Sequence, residues 1–239
     1  MRVTLFIPCF IDSLFPQVGM AIVQVLERLG HEIDYPEDQT CCGQPPFNSG
    51  YWAEAREIAA PQMEKFRDAE VVVSASGSCG AMMKVFYPEL FAGTPHEPTA
   101  KALSAKIFEF SDFLVNRLGV RDVGARFDGK VTFHDGCHGL RELHTKQAPR
   151  DLLRAVRGLE LVEMGDQESC CGFGGAFAVK FPQISTAMAE VKCQSALETG
   201  VEWVVSNDSS CLMQIQGWLD RHSQRMVKSL HLAEILASR

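Results

Sequence analysis

The sequence predicts an α/β chain built as two tandem, pseudo-symmetric repeats, each a small parallel sheet flanked by helices. Three observations carry this. Short β-rich apolar runs alternate with longer segments of helical apolar spacing, the pattern of parallel strands joined by crossover helices. The order of these runs in the first half recurs in the second. Four cysteines recur with it: Cys9, Cys41, Cys42 and Cys79 reappear as Cys137, Cys170, Cys171 and Cys211, at offsets of 128, 129, 129 and 132 residues.

In the first half, Val3–Pro8 is a short β-rich run, and Val18–Leu29 carries apolar residues at helical spacing until Gly30 stops it. Glu32–Tyr35 reads as a second strand leading to Cys41-Cys42-Gly43. Tyr51–Ala69 reads as a helix, and the "VVVSA" run at Val71–Ala75 as a buried strand, with Cys79 in the turn that follows. Lys106–Phe108 completes the sheet, before a helix over Ser111–Leu118.

The second half repeats the series. Val131–His134 is a strand ending near Cys137, Ala148–Val156 a helix, and Glu160–Glu163 a strand entering Cys170-Cys171-Gly172. Pro182–Thr199 is a helix, and Val201–Ser206 a strand ending near Cys211. The closing "VKSLHLAEIL", Val227–Leu236, echoes "KIFEFSDFLV", Lys106–Val115, with Asp112, Phe113 and Leu114 matching Glu234, Ile235 and Leu236. The join falls near Arg121–Lys130, rich in Gly and charge, so the first repeat is expected over residues 1–122 and the second over 123–239.

Composition narrows the function. The formal charge of −7, from 23 basic and 30 acidic residues, disfavours a nucleic-acid binder, which usually shows a basic excess. The apolar start is broken by Asp12 and Pro16, and no run approaches the length of a membrane span. A cytoplasmic chain is expected, and nine cysteines there point to metal or catalysis more than to a disulfide frame. Disulfides within the adjacent pairs are disfavoured, because neighbouring Cα atoms sit only about 3.8 Å apart, below the ordinary disulfide range.

Loops leaving the carboxyl ends of parallel strands gather at one edge of the sheet, and all eight repeated cysteines follow predicted strand ends. By count, four thiols suit a [4Fe-4S] cluster or a tetrahedral zinc equally. Adjacency favours the cluster: zinc ligands are usually spaced Cys-x₂₋₄-Cys, whereas neighbouring thiolates can reach different irons of one cluster. Gly43 and Gly172 supply the turn that lets both sulfurs face one centre. Cys193 has no partner in the other half and reads as a core or surface thiol; His134 and His138 flank Cys137 and read first as hydrogen-bonding neighbours, with a role as an extra ligand or proton donor as the alternative. "CGFGG" lacks the third glycine of a dinucleotide fingerprint, where Phe177 stands. "SASGSCGAM" has the shape of a nucleophile elbow but no partner that sequence can place.

These motifs, "CCGQPPFNSGY", "SGSCGAM", "ESCCGFGGAF" and "SSCLMQIQGWL", resemble the CCG-domain (cysteine-rich domain) iron-sulfur family over nearly the whole chain. The family signature sets a Cys, a Cys-Cys-Gly and a final Cys-x-x-Cys at long spacings. The chain is most similar to the short branch, which lacks the ferredoxin-like part of glycolate oxidase and glycerol-3-phosphate dehydrogenase iron-sulfur subunits. The resemblance implies an electron-transfer component of a multi-subunit system oxidising L-lactate to pyruvate, working with two other lactate utilization subunits, at least one an iron-sulfur protein. Carried over by position, Cys9, Cys41, Cys42 and Cys79 bind one centre, and Cys137, Cys170, Cys171 and Cys211 a second. One or two [4Fe-4S] clusters are implied, with zinc in one repeat as an option. The final Cys-x-x-Cys reads Cys79-Gly-Ala-Met82 and Cys211-Leu-Met-Gln214. The missing fifth cysteine weighs against the cluster chemistry of relatives such as the heterodisulfide reductases. A cluster-dependent disulfide reductase-type subunit and a zinc-stabilised scaffold are the alternative readings.

Overall fold

The computed structural model describes residues 1–222 and 226–239. In the first half, β1 (Arg2–Phe6) leads to α1 (Pro16–Arg28) and β2 (Glu32–Asp34). Next come α2 (Trp52–Lys65), β3 (Val72–Ser74), α3 (Glu97–Ser104) and β4 (Ile107–Glu109). The second half runs β5 (Arg126–Phe133), α4 (Gln147–Ala155), β6 (Arg157–Leu161), α5 (Pro182–Leu197) and β7 (Trp203–Ser206). It ends with α6 (Ser209–Arg221), β8 (Lys228–His231) and α7 (Leu232–Ala237).

Both sheets are four-stranded and wholly parallel, with one topology: β2-β1-β3-β4 and β6-β5-β7-β8. The expected α/β architecture of two parallel sheets is therefore what the chain forms. In each, the chain leaves the central strand toward one side and then crosses to the other. This reversal opens a crevice beyond the carboxyl ends of β1 and β3, and of β5 and β7, where ligands bind in open α/β sheets.

Several boundaries differ from the sequence reading. β5 begins at Arg126, inside the segment read as the join. Its first five residues alternate between exposed and half-buried and pair with β6 alone, with a register irregularity between Arg126 and Gly129. An exposed strand extension tolerates glycine and charge that a buried strand does not. β6 starts at Arg157, where α4 has just ended, rather than at Glu160. The helix after β4 starts at Phe110 and widens into a π-helical turn over Phe113–Arg117. α3 occupies a stretch with no predicted element.

The two halves share one hydrophobic core, and each also has a smaller one of its own. Val18, Ala21, Ile22, Val25 and Leu26 form the buried stripe of α1, at the spacing of an amphipathic helix, and pack with Ile235 and Leu236 of α7. Arg28 fastens this contact: its guanidinium donates to the carbonyls of Leu236 at 3.0 Å and Ala237 at 2.6 Å, a cation on the open end of a helix. β4 and β8 both end in a residue whose side chain caps the next helix. The Glu109 carboxylate accepts from the N–H of Ser111 and Asp112, and His231 Nδ1 from that of Ala233.

Candidate metal centres

The strands end beneath one cleft of about 610 Å³, lined by all eight repeated cysteines together with Phe10, Phe173, Phe177 and Lys180. Cys9 and Cys137 open short helical turns after β1 and β5, and Cys79 lies in a similar turn after β3. Cys211 sits in the first turn of α6. Cys41 and Cys42 arrive on the loop after β2, which the Gln39 amide holds beside β1: it donates to Leu5 O at 2.8 Å and accepts from Ile7 N–H at 3.0 Å. The Tyr87 hydroxyl donates to Cys42 O at 2.9 Å and fixes the far side of the pair.

Gly43 and Gly172 turn each pair. Their φ angles of +83° and +85° lie in the region that costs other residues about 1–2 kcal/mol. A Cβ on Gly43 would stand 3.1 Å from Ala55 O, and one on Gly172 closer still to Ser185 O. Each glycine N–H turns back onto the first sulfur of its pair, Gly43 N to Cys41 Sγ and Gly172 N to Cys170 Sγ, both at 3.4 Å.

All nine cysteines are free thiols, and in each quartet the sulfurs shift one another's protonation along one order: Cys9–Cys41–Cys42–Cys79 and Cys137–Cys170–Cys171–Cys211. The second sulfur of each quartet is the one most favoured as a thiolate. Cys41 is pulled down to about 3 by hydrogen bonds from Cys42, Cys9 and the Gly43 N–H. Cys170 is pulled down to about 2 by Cys137, Cys171 and the Gly172 N–H. Their sulfur neighbours, with burial, hold Cys9, Cys42, Cys137 and Cys171 well above the ordinary thiol range. A metal taken up here displaces those protons. Eight converging thiols, one in each quartet favoured as a thiolate, are a donor set that fits soft metal centres.

Cys193 lies outside both quartets. It is buried in α5, its Sγ donating to Ile215 O at 3.7 Å, and burial raises it to about 12. The carbonyl neighbours of Gly43 and Gly172 align Ala55 with Ser185, so Met63 is its counterpart in the first half and Gln62 that of Lys192. His138 Nδ1 stands 3.6 Å from Cys137 Sγ, with its ring edge-on to Phe86. His134 is fully buried, held neutral at about 3 by burial and by the Lys192 charge.

Two features of the site escaped sequence reading. Asp208, buried at the start of α6, bridges the halves by accepting from Ser76 Oγ, Ser78 Oγ and Ser78 N–H. Arg150 reaches from α4 to clamp Asp135, just before Cys137, with two bonds of 2.8 Å. For Asp208 a signal existed: "DSSC" stands where the first repeat has "SGSC", an acid at the position of Ser76. The turns bearing Cys79 and Cys137 touch through Gly77 and Gly139, where a Cβ on Gly77 would lie 3.3 Å from Gly139 Cα. No helix among the described residues is long and apolar enough to cross a membrane.

The CCG family, described as a cysteine-rich domain, matches residues 3–84 and 131–216. The chain is 47% identical over 240 residues to lactate utilization protein A of Geobacillus thermodenitrificans (strain NG80-2), covering 100% of each. It is 46% identical over 240 residues to the protein of the same name from Bacillus subtilis (strain 168), again covering 100% of each. Among solved structures, a hypothetical protein from Helicobacter pylori superposes with a TM-score of 0.64 at 9% identity over 98% of this chain. That likeness concerns the fold alone, and the chain spans 48% of that structure.

Proposed function

The chain belongs to the CCG cysteine-rich domain family, and on that basis we propose that it is the electron-relaying metal-centre subunit of a lactate utilization system. The observation that carries the reading is the convergence of two like thiol quartets on one cleft. Cys9, Cys41, Cys42 and Cys79 hold the first centre; Cys137, Cys170, Cys171 and Cys211 hold the second. A [4Fe-4S] cluster bound by such a quartet supplies one-electron redox chemistry. L-Lactate loses two electrons and two protons in becoming pyruvate, so a carrier with two one-electron centres matches the count.

The chain's own residues bind and orient. Gly43 and Gly172 bring neighbouring thiolates onto one centre, and their N–H groups hydrogen-bond the sulfurs, a lever on potential. Phe10, Phe173 and Phe177 keep the cleft walls apolar. Substrate oxidation itself belongs to a partner, one of two other subunits in this reading, at least one of them an iron-sulfur protein. The test is to mix the anaerobically purified chain with its partner subunits and add L-lactate. The visible absorbance of the chain should bleach; a chain that stays oxidised while its partners turn lactate over contradicts the relay.

A further inference from the structure

The two quartets are built from corresponding residues, but their surroundings differ. Three positions before Cys9 the chain has Phe6; three before Cys137 it has His134. Both are completely buried. Phe6 packs edge-on against Phe66, with ring centroids 5.8 Å apart, in the apolar cluster that holds Cys42. His134 has the equivalent position, directly after β5. Its backbone N–H donates to Val205 O at 2.8 Å, yet neither ring nitrogen has a hydrogen-bond partner.

A buried polar atom without a partner costs about 1–3 kcal/mol, so an imidazole with both nitrogens unsatisfied points to a ligand. The donors beside it are sulfurs: one His134 ring nitrogen and the Sγ atoms of Cys171 and Cys211 all lie within 4.8 Å of one another. Metal–sulfur and metal–nitrogen bonds of about 2.0–2.3 Å close that group with a small inward movement of the donors.

We propose that His134 is a nitrogen ligand of the second centre, which thereby offers sulfur and nitrogen donors where the first offers sulfur alone. The proposal rests on reading the Cys137, Cys170, Cys171 and Cys211 quartet as a metal centre.

The test uses the full chain carrying Cys41→Ser and Cys42→Ser, which leaves the second centre as the metal site. The reduced apoprotein is titrated anaerobically with Co²⁺, with and without His134→Phe, the residue that the first half carries. Thiolate-to-cobalt charge transfer is expected in both. His134→Phe should move the d–d bands to the all-thiolate position and weaken binding about 10-fold or more, the loss seen even for outer partners of ligands. Identical spectra and affinities overturn the proposal while leaving the metal centre standing. Absence of Co²⁺ binding in the parent overturns both. If the phenylalanine variant does not fold by circular dichroism, His134→Gln, polar but without a ring nitrogen, must give the same spectral shift.

Discussion

Asp208 and Ser78 join the two halves of the chain beside the cysteines: the Ser78 hydroxyl donates to Asp208 Oδ1 at 2.9 Å and its N–H at 3.2 Å. Ser78 precedes Cys79, and Asp208 opens the helix that carries Cys211. Burial raises the carboxyl of Asp208, and the Ser76 and Ser78 donors work against that rise. The bridge fixes the spacing between the turn that carries Cys79 and the helix that carries Cys211.

Asp208→Ala removes the shared acceptor of Ser76 Oγ, Ser78 Oγ and Ser78 N–H; the two hydroxyls keep each other at 3.0 Å, and the lost hydrogen bonds to a carboxylate are worth about 1.5–3 kcal/mol each. A loss of about 3 kcal/mol is expected in urea unfolding, with a smaller loss for Asp208→Asn. A change below 0.5 kcal/mol in the alanine variant, on the scale of an ordinary surface substitution, removes the bridge from the account.

Glu109 gives a pH signature. Burial raises it from 4.5 to about 7 against the pull of its Ser111 and Asp112 donors. Between those values the folded chain keeps a proton that the unfolded chain has lost, so this residue's contribution to stability falls as pH rises from about 4.5 to 7 and is flat above. Across that window the fall is on the order of 3 kcal/mol. His231, lowered to about 4 by burial, acts oppositely, gaining stability as pH rises from about 4 to 6.5. The difference between wild type and Glu109→Gln isolates the first effect: it should decline across pH 4.5–7, and a flat difference contradicts it.

Gly172→Ala and Gly43→Ala separate two equivalent turns. Both meet the same left-handed cost of about 1–2 kcal/mol, but the new methyl group is more crowded at Gly172, by Ser185 O and by Met188 Cβ at 3.0 Å. Thermal unfolding should place Gly172→Ala below Gly43→Ala. The reverse order means that the neighbouring helix α5 yields more readily than α2.

The cysteines divide by place. Cys41→Ser and Cys170→Ser each remove the first sulfur of an adjacent pair, the one most favoured as a thiolate, and should each lose about half of the visible absorbance of the anaerobic protein. Cys193→Ser, in the core of α5, should keep the absorbance and lower only stability. Equal bleaching in all three breaks the assignment.

The strands and the two quartets were readable because both rest on local signals: short apolar runs, and cysteines at recurring offsets just beyond them. β5 was half-hidden because its exposed extension over Arg126–Lys130 carries the glycine and charge that elsewhere mark a loop. The contacts of His134, Asp208 and Arg150 could not be read directly, since each depends on how separate elements meet. Comparing the halves does flag two of them, His134 against Phe6 and Asp208 against Ser76, as polar or charged residues where the other repeat has something milder. Departures from internal symmetry, more than the symmetry itself, mark where the surroundings of the two quartets differ.

The most direct test of the central claim is metal and sulfide analysis of the anaerobically purified chain, with its visible and EPR spectra. A brown protein holding iron and acid-labile sulfide, with a cluster EPR signal that appears or vanishes on reduction, is the result expected of the relay. A colourless protein with stoichiometric zinc and no iron contradicts it.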